Sequence, residues 1–523
     1  LWEEVSKRSK KYKHGDCGSR WAGFNTQFFS IGSLFFLAKE GNPDMLDRIK
    51  PTLNMNTNIY TNGEVYNRID IDTPFLTTET PGAEKTQEQK MFKAQWSEVM
   101  DNPDKKSLVV RSRYGSGKTT FLQRLVKSRK PERVLFVTYR QTLARDIMRN
   151  FGKLGFKNYL DSYDDPSVWN APRLIVQLDS LMNIFTRSDD VLSGEGFQLR
   201  YDMIILDESE SLLAHFDEQT MSGKEIGIWN FFDELLKHSG KMLLMDGDIS
   251  DRSLSFASAY GNMTYINNKN TGAPRTINLM LDEQQWQTQL DADLTRYYSE
   301  DPRFRVCIVS QSSTKVVAME TDLKERYPHL NIKRLIGSDS GETKRQALED
   351  INETLEDANV FLYSPVIESG VDITVKVKKV YGLLCAKSNS QRAFLQMINR
   401  CRCVEDPKMD FLNGEGLRIN GNYNFWKYAE VLELNKVTVA NTRPEFLIEN
   451  GVMRVAENDA NTKRKNISVF NTVERLNKHP SVFINYLRVL ANAKGMTFTI
   501  QQPPPPPTEE DPAPPENNKT KVE

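Results

Sequence analysis

Between Ser107 and Gly247 short apolar runs alternate with longer stretches of helical spacing. The runs SLVVRSR, RVLFVTY, RLIVQL, MIILDE and KMLLMDG are nearly continuous in apolar residues. That is the pattern of strands buried on both faces, with helices covering a parallel sheet. A second series follows, with RVCIVSQ from Arg305, IKRLIG from Ile332, ANVFLYS from Ala358 and KVYGLLC from Lys379. The chain therefore predicts an α/β fold built on two parallel sheets in tandem. The polar, turn-rich NNKNTGAP at Asn267–Pro274 suits a linker between them.

The flanks break the alternation. Residues 1–95, with the run SIGSLFFLAKEG, predict a small, mainly helical module. The two α/β domains are placed at 96–270 and 271–445, and PSVFINYLRVLANAKG marks a helical extension over 446–500. Residues 501–523 hold five consecutive prolines and no periodicity, which predicts a disordered or polyproline-like tail.

Composition narrows the choice of partner. With 69 basic and 70 acidic residues among 523, the net charge of -1 gives no global attraction to a polyanion, so any nucleic-acid site must be a local patch. Five scattered cysteines form neither a disulfide framework nor a paired zinc motif, which points to a reducing compartment. No apolar stretch reaches the roughly 20 residues of a membrane span. The chain opens at Leu1 without an apolar leader-like run and reads as a piece of a longer, soluble, intracellular protein.

Three segments carry chemistry. Ser112-Arg-Tyr-Gly115-Ser116-Gly117-Lys118-Thr119-Thr120 lies between a strand and a helical run, where a phosphate loop belongs. Its glycines let N–H groups close around phosphate, Lys118 reaches the outer phosphates, and the Thr119 hydroxyl can ligate magnesium. Ser112 stands where the full pattern has its first glycine. The strand Met203-Ile-Ile-Leu-Asp207-Glu208 ends in two carboxylates at the edge where ligands of such folds bind. Asp207 can hold Mg2+ through water while Glu208 orients and deprotonates an attacking water. Helix capping is the plainer alternative for such residues. Finally, Arg400 and Arg402 in QMINRCR offer planar forks for a γ-phosphate, or else form a solvated basic face.

GSGKT at Gly115, DESE at Asp207, ESGVDI at Glu368–Ile373 and QMINRCR at Gln396 resemble, in order, motifs I, II, V and VI of superfamily-two helicases. VTYRQTLA, VQLDSL, MDGDIS and VSQSSTK resemble the intermediate motifs, and VTYRQTLA, QLDSL, DESE, MDGDIS and IGSDSG are most similar to herpesvirus-type replication origin-binding helicases, over roughly 95 to 450. The resemblance implies two RecA-like domains, ATP and Mg2+ as cofactors, and an ATP-dependent DNA helicase or translocase acting in replication. It adds Gln396 to the catalytic set, and Gly370 and Asp372 to the nucleotide contacts. It also makes Thr138, Arg140, Ser180, Ser310 and Gln311 contacts to a nucleic-acid strand, although a capping or loop role fits each of these as well. The long carboxy-terminal region by which the herpesviral proteins grip origin sequence has no counterpart here, so the implied partner is single-stranded or forked DNA, with origin DNA as one candidate.

WEEVSKRS, WAGF and SIGSLFFLAK in the opening segment resemble the helical domain that follows the catalytic part of viral primases. This implies an upstream primase domain or other replication proteins as partners, and a nuclear or viral replication site. A small helical cap with Trp2 and Trp21 in its core is the alternative. An RNA helicase and a catalytically weak replication scaffold remain as rival functions, and the dispersed histidines receive no role.

Overall fold

The computed structural model describes residues 67–77, 84–188, 192–193, 196–197, 199–367, 370–386, 389–419, 425–427, 431, 446–449, 452–455 and 459–501. The helical module expected at the start and the proline-rich tail therefore lie outside the described residues, except where noted below.

Two parallel sheets form two lobes. The first has eight strands: β1 (Asn67–Ile71), β2 (Lys105–Arg111), β3 (Val134–Thr138), β4 (Lys157–Asn158), β5 (Arg173–Gln177), and, after a short hairpin of β6 (Leu192–Ser193) and β7 (Gly196–Phe197), β8 (Met203–Asp207), β9 (Lys241–Asp246) and β10 (Asn262–Asn268). Their order is β1-β10-β2-β9-β8-β3-β5-β4. The second lobe comprises β11 (Thr276–Met280), β12 (Val306–Ser310), β13 (Ile332–Leu335), β14 (Val360–Tyr363), β15 (Lys379–Leu383) and β16 (Lys408–Leu412). A separate hairpin of β17 (Phe446–Glu449) and β18 (Val452–Val455) follows, and then β19 (Thr497–Gln501). The second order is β13-β14-β12-β15-β16-β11-β19.

The apolar runs are continuous because both sheet faces are covered. Every residue of β3, β8, β12 and β15 is buried. On the second sheet one face packs Trp286, Leu290 and Leu294 of the helix Glu283–Glu300. The other packs Phe394 and Leu395 of the helix Gln391–Ile398 together with Phe483, Ile484 and Leu487 of the helix Phe483–Ala493. No helix among the described residues is long and apolar enough to cross a membrane.

The edges of the lobes differ from the sequence-based boundaries. Asn67–Ile71, expected in the helical module, is a strand paired with β10, and the helix Gln87–Asp101 packs Phe92 against Phe121 of the phosphate-loop helix at 4.8 Å between ring centroids. The first lobe thus begins well before residue 96. β1 is largely exposed and carries no apolar run, so its pairing is a matter of backbone geometry rather than pattern. Asn267 and Asn268, expected in the linker, end β10. Thr497–Gln501, split between the expected helical extension and tail, pairs in register with Thr276–Met280 and completes the second sheet. Only folding brings those two segments together.

The carboxy-terminal helices tie both lobes. Asn471 of the helix Asp459–Asn477 bonds the Leu213 carbonyl and the Arg252 guanidinium of the first lobe. The helix Phe483–Ala493 belongs to the second lobe's core.

Candidate functional site

The phosphate-loop segment leaves β2 and enters the helix Lys118–Arg129 through two left-handed residues, Gly115 at φ +75° and Gly117 at φ +82°. Gly115 is required twice. A side chain there would be strained, and its Cβ would run into the Arg402 guanidinium of the second lobe. Ser112 replaces the first glycine without opening the turn. Its hydroxyl is buried, bonded to the Ser116 hydroxyl at 2.6 Å and to the Asn268 amide at 2.9 Å. Ser116 is likewise spent internally, donating to the Arg113 carbonyl at 2.7 Å, so only its backbone can face a ligand. Lys118 donates to the Ser112 and Arg113 carbonyls at 2.9 and 3.2 Å. Burial pushes the Lys118 ammonium below its ordinary value, against the pull of Asp207, Asp246 and Glu208. Thr119 and Thr120 form the first helical turn, half-buried and exposed respectively.

β8 delivers Asp207 and Glu208 to the same edge. Asp207 accepts the Glu208 N–H at 3.1 Å, and burial pushes its carboxyl up to about 6. A buried carboxylate at the strand end that faces the phosphate loop, with Lys118 among its charged neighbours, is of the type that holds Mg2+. That ion is usually held by one or two carboxylates together with substrate phosphates. No group of three or more His, Cys, Asp or Glu side chains placed to hold a metal ion is gathered among the described residues. Glu208 adopts φ +55°, one of two non-glycine residues with positive φ among those described. Such strain persists only where surrounding contacts impose it. They are present: Arg400 Nη2 pairs with one Glu208 oxygen at 2.6 Å, and the Tyr139 hydroxyl donates to the other at 3.1 Å.

Arg400 and Arg402 come from the end of the helix Gln391–Ile398 and reach across the cleft. Asp372 joins them, pairing with Arg402 Nη2 at 2.5 Å and Arg400 Nη1 at 3.6 Å. Burial opposes the charge of Arg400, yet Glu208 and Asp372 raise its pKa. Gln396 is buried, and its amide nitrogen has no hydrogen-bond partner among the described residues. Gly370, expected at the nucleotide, packs on the first turn of the helix Gln141–Phe151, where a Cβ would meet the Thr142 carbonyl at 2.9 Å.

The residues expected to touch a strand separate into two groups. Thr138, Ser310 and Gln311 are fully buried. Gln311 bonds the Asn389 side chain at 3.0 Å and the Cys385 N–H at 3.1 Å, and the Ser310 hydroxyl lies 3.4 Å from the Leu383 carbonyl. Their side chains brace strand ends and present nothing outward in this conformation. Arg140 and Ser180 are partly exposed, and Arg140 Nη1 bonds the Pro365 carbonyl of the second lobe at 3.2 Å.

Sequence reasoning missed a buried charged network beside this site. Asp246 and Asp248 lie in the recognised MDGDIS segment, but their partners Arg392, Glu474 and Lys494 carry no local signal. Arg392 ion-pairs with Asp248 and bonds Glu474 at 2.9 Å, while Lys494 lies 3.1 Å from Asp248. Burial, with Glu210, Glu208 and Asp248 nearby, pushes Asp246 up to about 7, whereas Arg392 and Lys494 overcome burial and hold Asp248 below its ordinary range. Tyr114 lies among three cations, with Lys118, Arg400 and Lys494 at 5.0, 5.5 and 5.6 Å from its ring centre. A cavity of about 500 Å³ opens beside the loop, lined by Phe75, Arg111, Arg113, Arg275, Arg402 and Lys494 among others and, among the described residues, by no carboxylate.

A phosphate loop and paired carboxylates on one parallel-sheet lobe, faced by arginines from a second, define a protein of two tandem RecA-like lobes. Residues 75–266 match the family described as origin of replication binding protein, and residues 1–38 match primase C terminal 2. The first lobe is thus similar to that origin-binding family. A putative helicase of Acanthamoeba polyphaga mimivirus is 27% identical over 75% of this chain and 39% of that protein. A putative replication origin-binding protein of the same virus is 28% identical over 77% of this chain and 51% of that protein. The replication origin-binding protein of Psittacid herpesvirus 1 is 34% identical over 27% of this chain and 16% of its own length. The chain thus spans about half or less of each of these relatives.

Proposed function

We propose that this chain is an ATP-driven DNA helicase or translocase of replication, with ATP held between the lobes. The observation that carries the reading is the reach of Arg400 and Arg402 from the second lobe to Glu208 and to the loop at Gly115. Lys118 and the N–H groups of the following helix would hold the β and γ phosphates. Thr119 and Asp207 would hold Mg2+, which would neutralise phosphate charge when bound. Glu208 would orient the attacking water and take its proton. In this arrangement Arg400 neutralises Glu208 while Arg402 lies against the loop; a γ-phosphate would compete for both guanidinium groups. The unpaired amide of Gln396 would join them. The cationic cavity supports a polyphosphate ligand, and Arg140 supports contact with a strand backbone rather than with bases.

ATP hydrolysis by the purified chain, measured alone and with single-stranded DNA or RNA, tests this reading. DNA should stimulate turnover, and Glu208→Gln should bind ATP while slowing turnover by orders of magnitude. Stimulation by RNA alone would move the chain to the RNA helicases. Nucleic-acid binding without ATP hydrolysis would make it a scaffold.

A further inference from the structure

The phosphate loop has a second side. The cavity of about 500 Å³ beside it is bounded by Arg113 and Gly115 of the loop, by Arg275 and Arg402 of the second lobe, and by residues 269–273, which join the lobes. Gly117, Lys118, Thr119, Asp207 and Glu208, the groups placed around the nucleotide phosphates and the metal, do not line it. The cavity is a separate space that adjoins the phosphate cradle at Gly115.

Three arginines meet there with little to neutralise them. A Cβ on Gly115 would collide with the Arg402 guanidinium and lie 3.9 Å from that of Arg113, so the two charges face each other across the cleft between the lobes. Arg113 donates to the Asn270 side chain at 3.2 Å and to the Tyr114 and Pro74 carbonyls at 3.1 and 3.3 Å. Arg275 donates to the Asn399 side chain at 3.3 Å and to the Cys401 carbonyl at 2.9 Å. All of these acceptors are neutral. Arg402 has Asp372, which it shares with Arg400, and its Nε is buried with no hydrogen-bond partner among the described residues. Burial pushes Arg113 below its ordinary value, and repulsion from Arg402 and Arg275 pushes it further; burial lowers Arg275 as well. A lysine could answer by shedding its proton, but an arginine stays charged. Buried charges are normally paired. The partner that fits several guanidinium forks at once is a phosphate group, whose oxygens accept from each of them and whose charge offsets theirs.

We propose that this cavity is a second phosphate site, in which a phosphate or pyrophosphate anion bridges Arg113 of the first lobe to Arg275 and Arg402 of the second. An anion there replaces repulsion across the cleft with attraction, and so holds the lobes together beside the segment that joins them. The site adjoins the nucleotide cradle of the reading above but needs no hydrolysis to fill.

The test is thermal unfolding of the whole chain with and without pyrophosphate, in the absence of nucleotide and metal and at an ionic strength held constant with sodium chloride. Lys118→Ala removes the cation of the cradle and leaves the cavity lining intact. Wild type and Lys118→Ala should both gain roughly 5 °C in Tm when pyrophosphate exceeds its Kd about a hundredfold. Adding Arg113→Met or Arg275→Met to Lys118→Ala should remove most of that gain; Arg113→Gln, which keeps a donor for Asn270, replaces Arg113→Met if the methionine variant does not fold. Orthophosphate giving the same gain would support the site with free phosphate as its ligand, and ADP giving it where orthophosphate does not would support it with a nucleotide's diphosphate. No gain in Lys118→Ala with any of the three anions, or an equal gain in the arginine variants, would overturn the second site while leaving the ATPase reading standing. A chain that hydrolyses no ATP yet gains as described would lose that reading and keep the site.

Discussion

Replacing Arg252 with methionine tests the buried charge network quantitatively. The Arg252 side chain is 2% exposed and donates to Glu210 through Nε at 3.2 Å and Nη2 at 3.0 Å, to Asn471 at 2.7 Å and to Glu474 at 3.3 Å. Methionine fills much of the same volume, so the loss is chiefly electrostatic. It would leave Glu210, which is 1% exposed, without its nearest cation. Removing one partner of a buried pair costs about 3–5 kcal/mol. Glu210 keeps bonds from Ser250 N and Oγ at 2.8 and 2.6 Å and from Ser253 N at 3.3 Å, which places the loss near ~3 kcal/mol. For a lobe of this size that is a fall of roughly 6–12 °C in Tm. The pH dependence gives a second reading. Burial raises the Glu210 carboxyl, but Arg252 and then Arg392 outweigh it and hold the group below its ordinary range. A depressed carboxylate stabilises the fold above its unfolded pKa and loses that contribution as pH falls through the folded one. Without Arg252 the desolvation dominates and the carboxyl rises, so the deficit should grow as pH climbs through the variant's raised folded pKa and narrow in acid. Urea titrations of wild type and Arg252→Met at neutral and acid pH measure both effects, and Glu210→Gln should restore part of the loss. A deficit under ~1 kcal/mol at neutral pH would refute the claim that Arg252 neutralises a buried carboxylate.

Two other outcomes follow from the cleft. Gly115→Ala should weaken ATP binding and hydrolysis together, because the new methyl collides with Arg402 at a left-handed backbone position; normal KM and kcat would show that the loop does not meet the second lobe in solution. Arg400→Lys and Arg402→Lys should each bind ATP yet turn over far more slowly, by on the order of a thousandfold where the guanidinium meets the γ-phosphate. Full DNA-stimulated activity in both variants would remove the second lobe from catalysis.

What the sequence determined by itself was local. The apolar runs of β2, β3, β5, β8 and β9 read as buried strands because both faces of a parallel sheet are covered, and the phosphate-loop and Asp207–Glu208 segments read as chemistry because their spacing lies within one turn or strand end. Arg400 and Arg402 were legible through their order in the chain, but not through their partners. The tertiary structure alone decided that Arg400 meets a carboxylate 192 positions away and that Arg402 rests on Gly115. It also decided that Arg392, Glu474 and Lys494 converge on Asp248 and its surroundings, since no single element brings those side chains together. The polar residues Thr138, Ser310 and Gln311 looked like strand contacts because polarity at a strand end reads the same whether a side chain faces solvent or braces a neighbouring loop. β1 and β19 escaped notice because edge strands are half-exposed and recruited by backbone pairing, and the alternation of Phe498 and Ile500 in β19 is too short to stand out from its flanks.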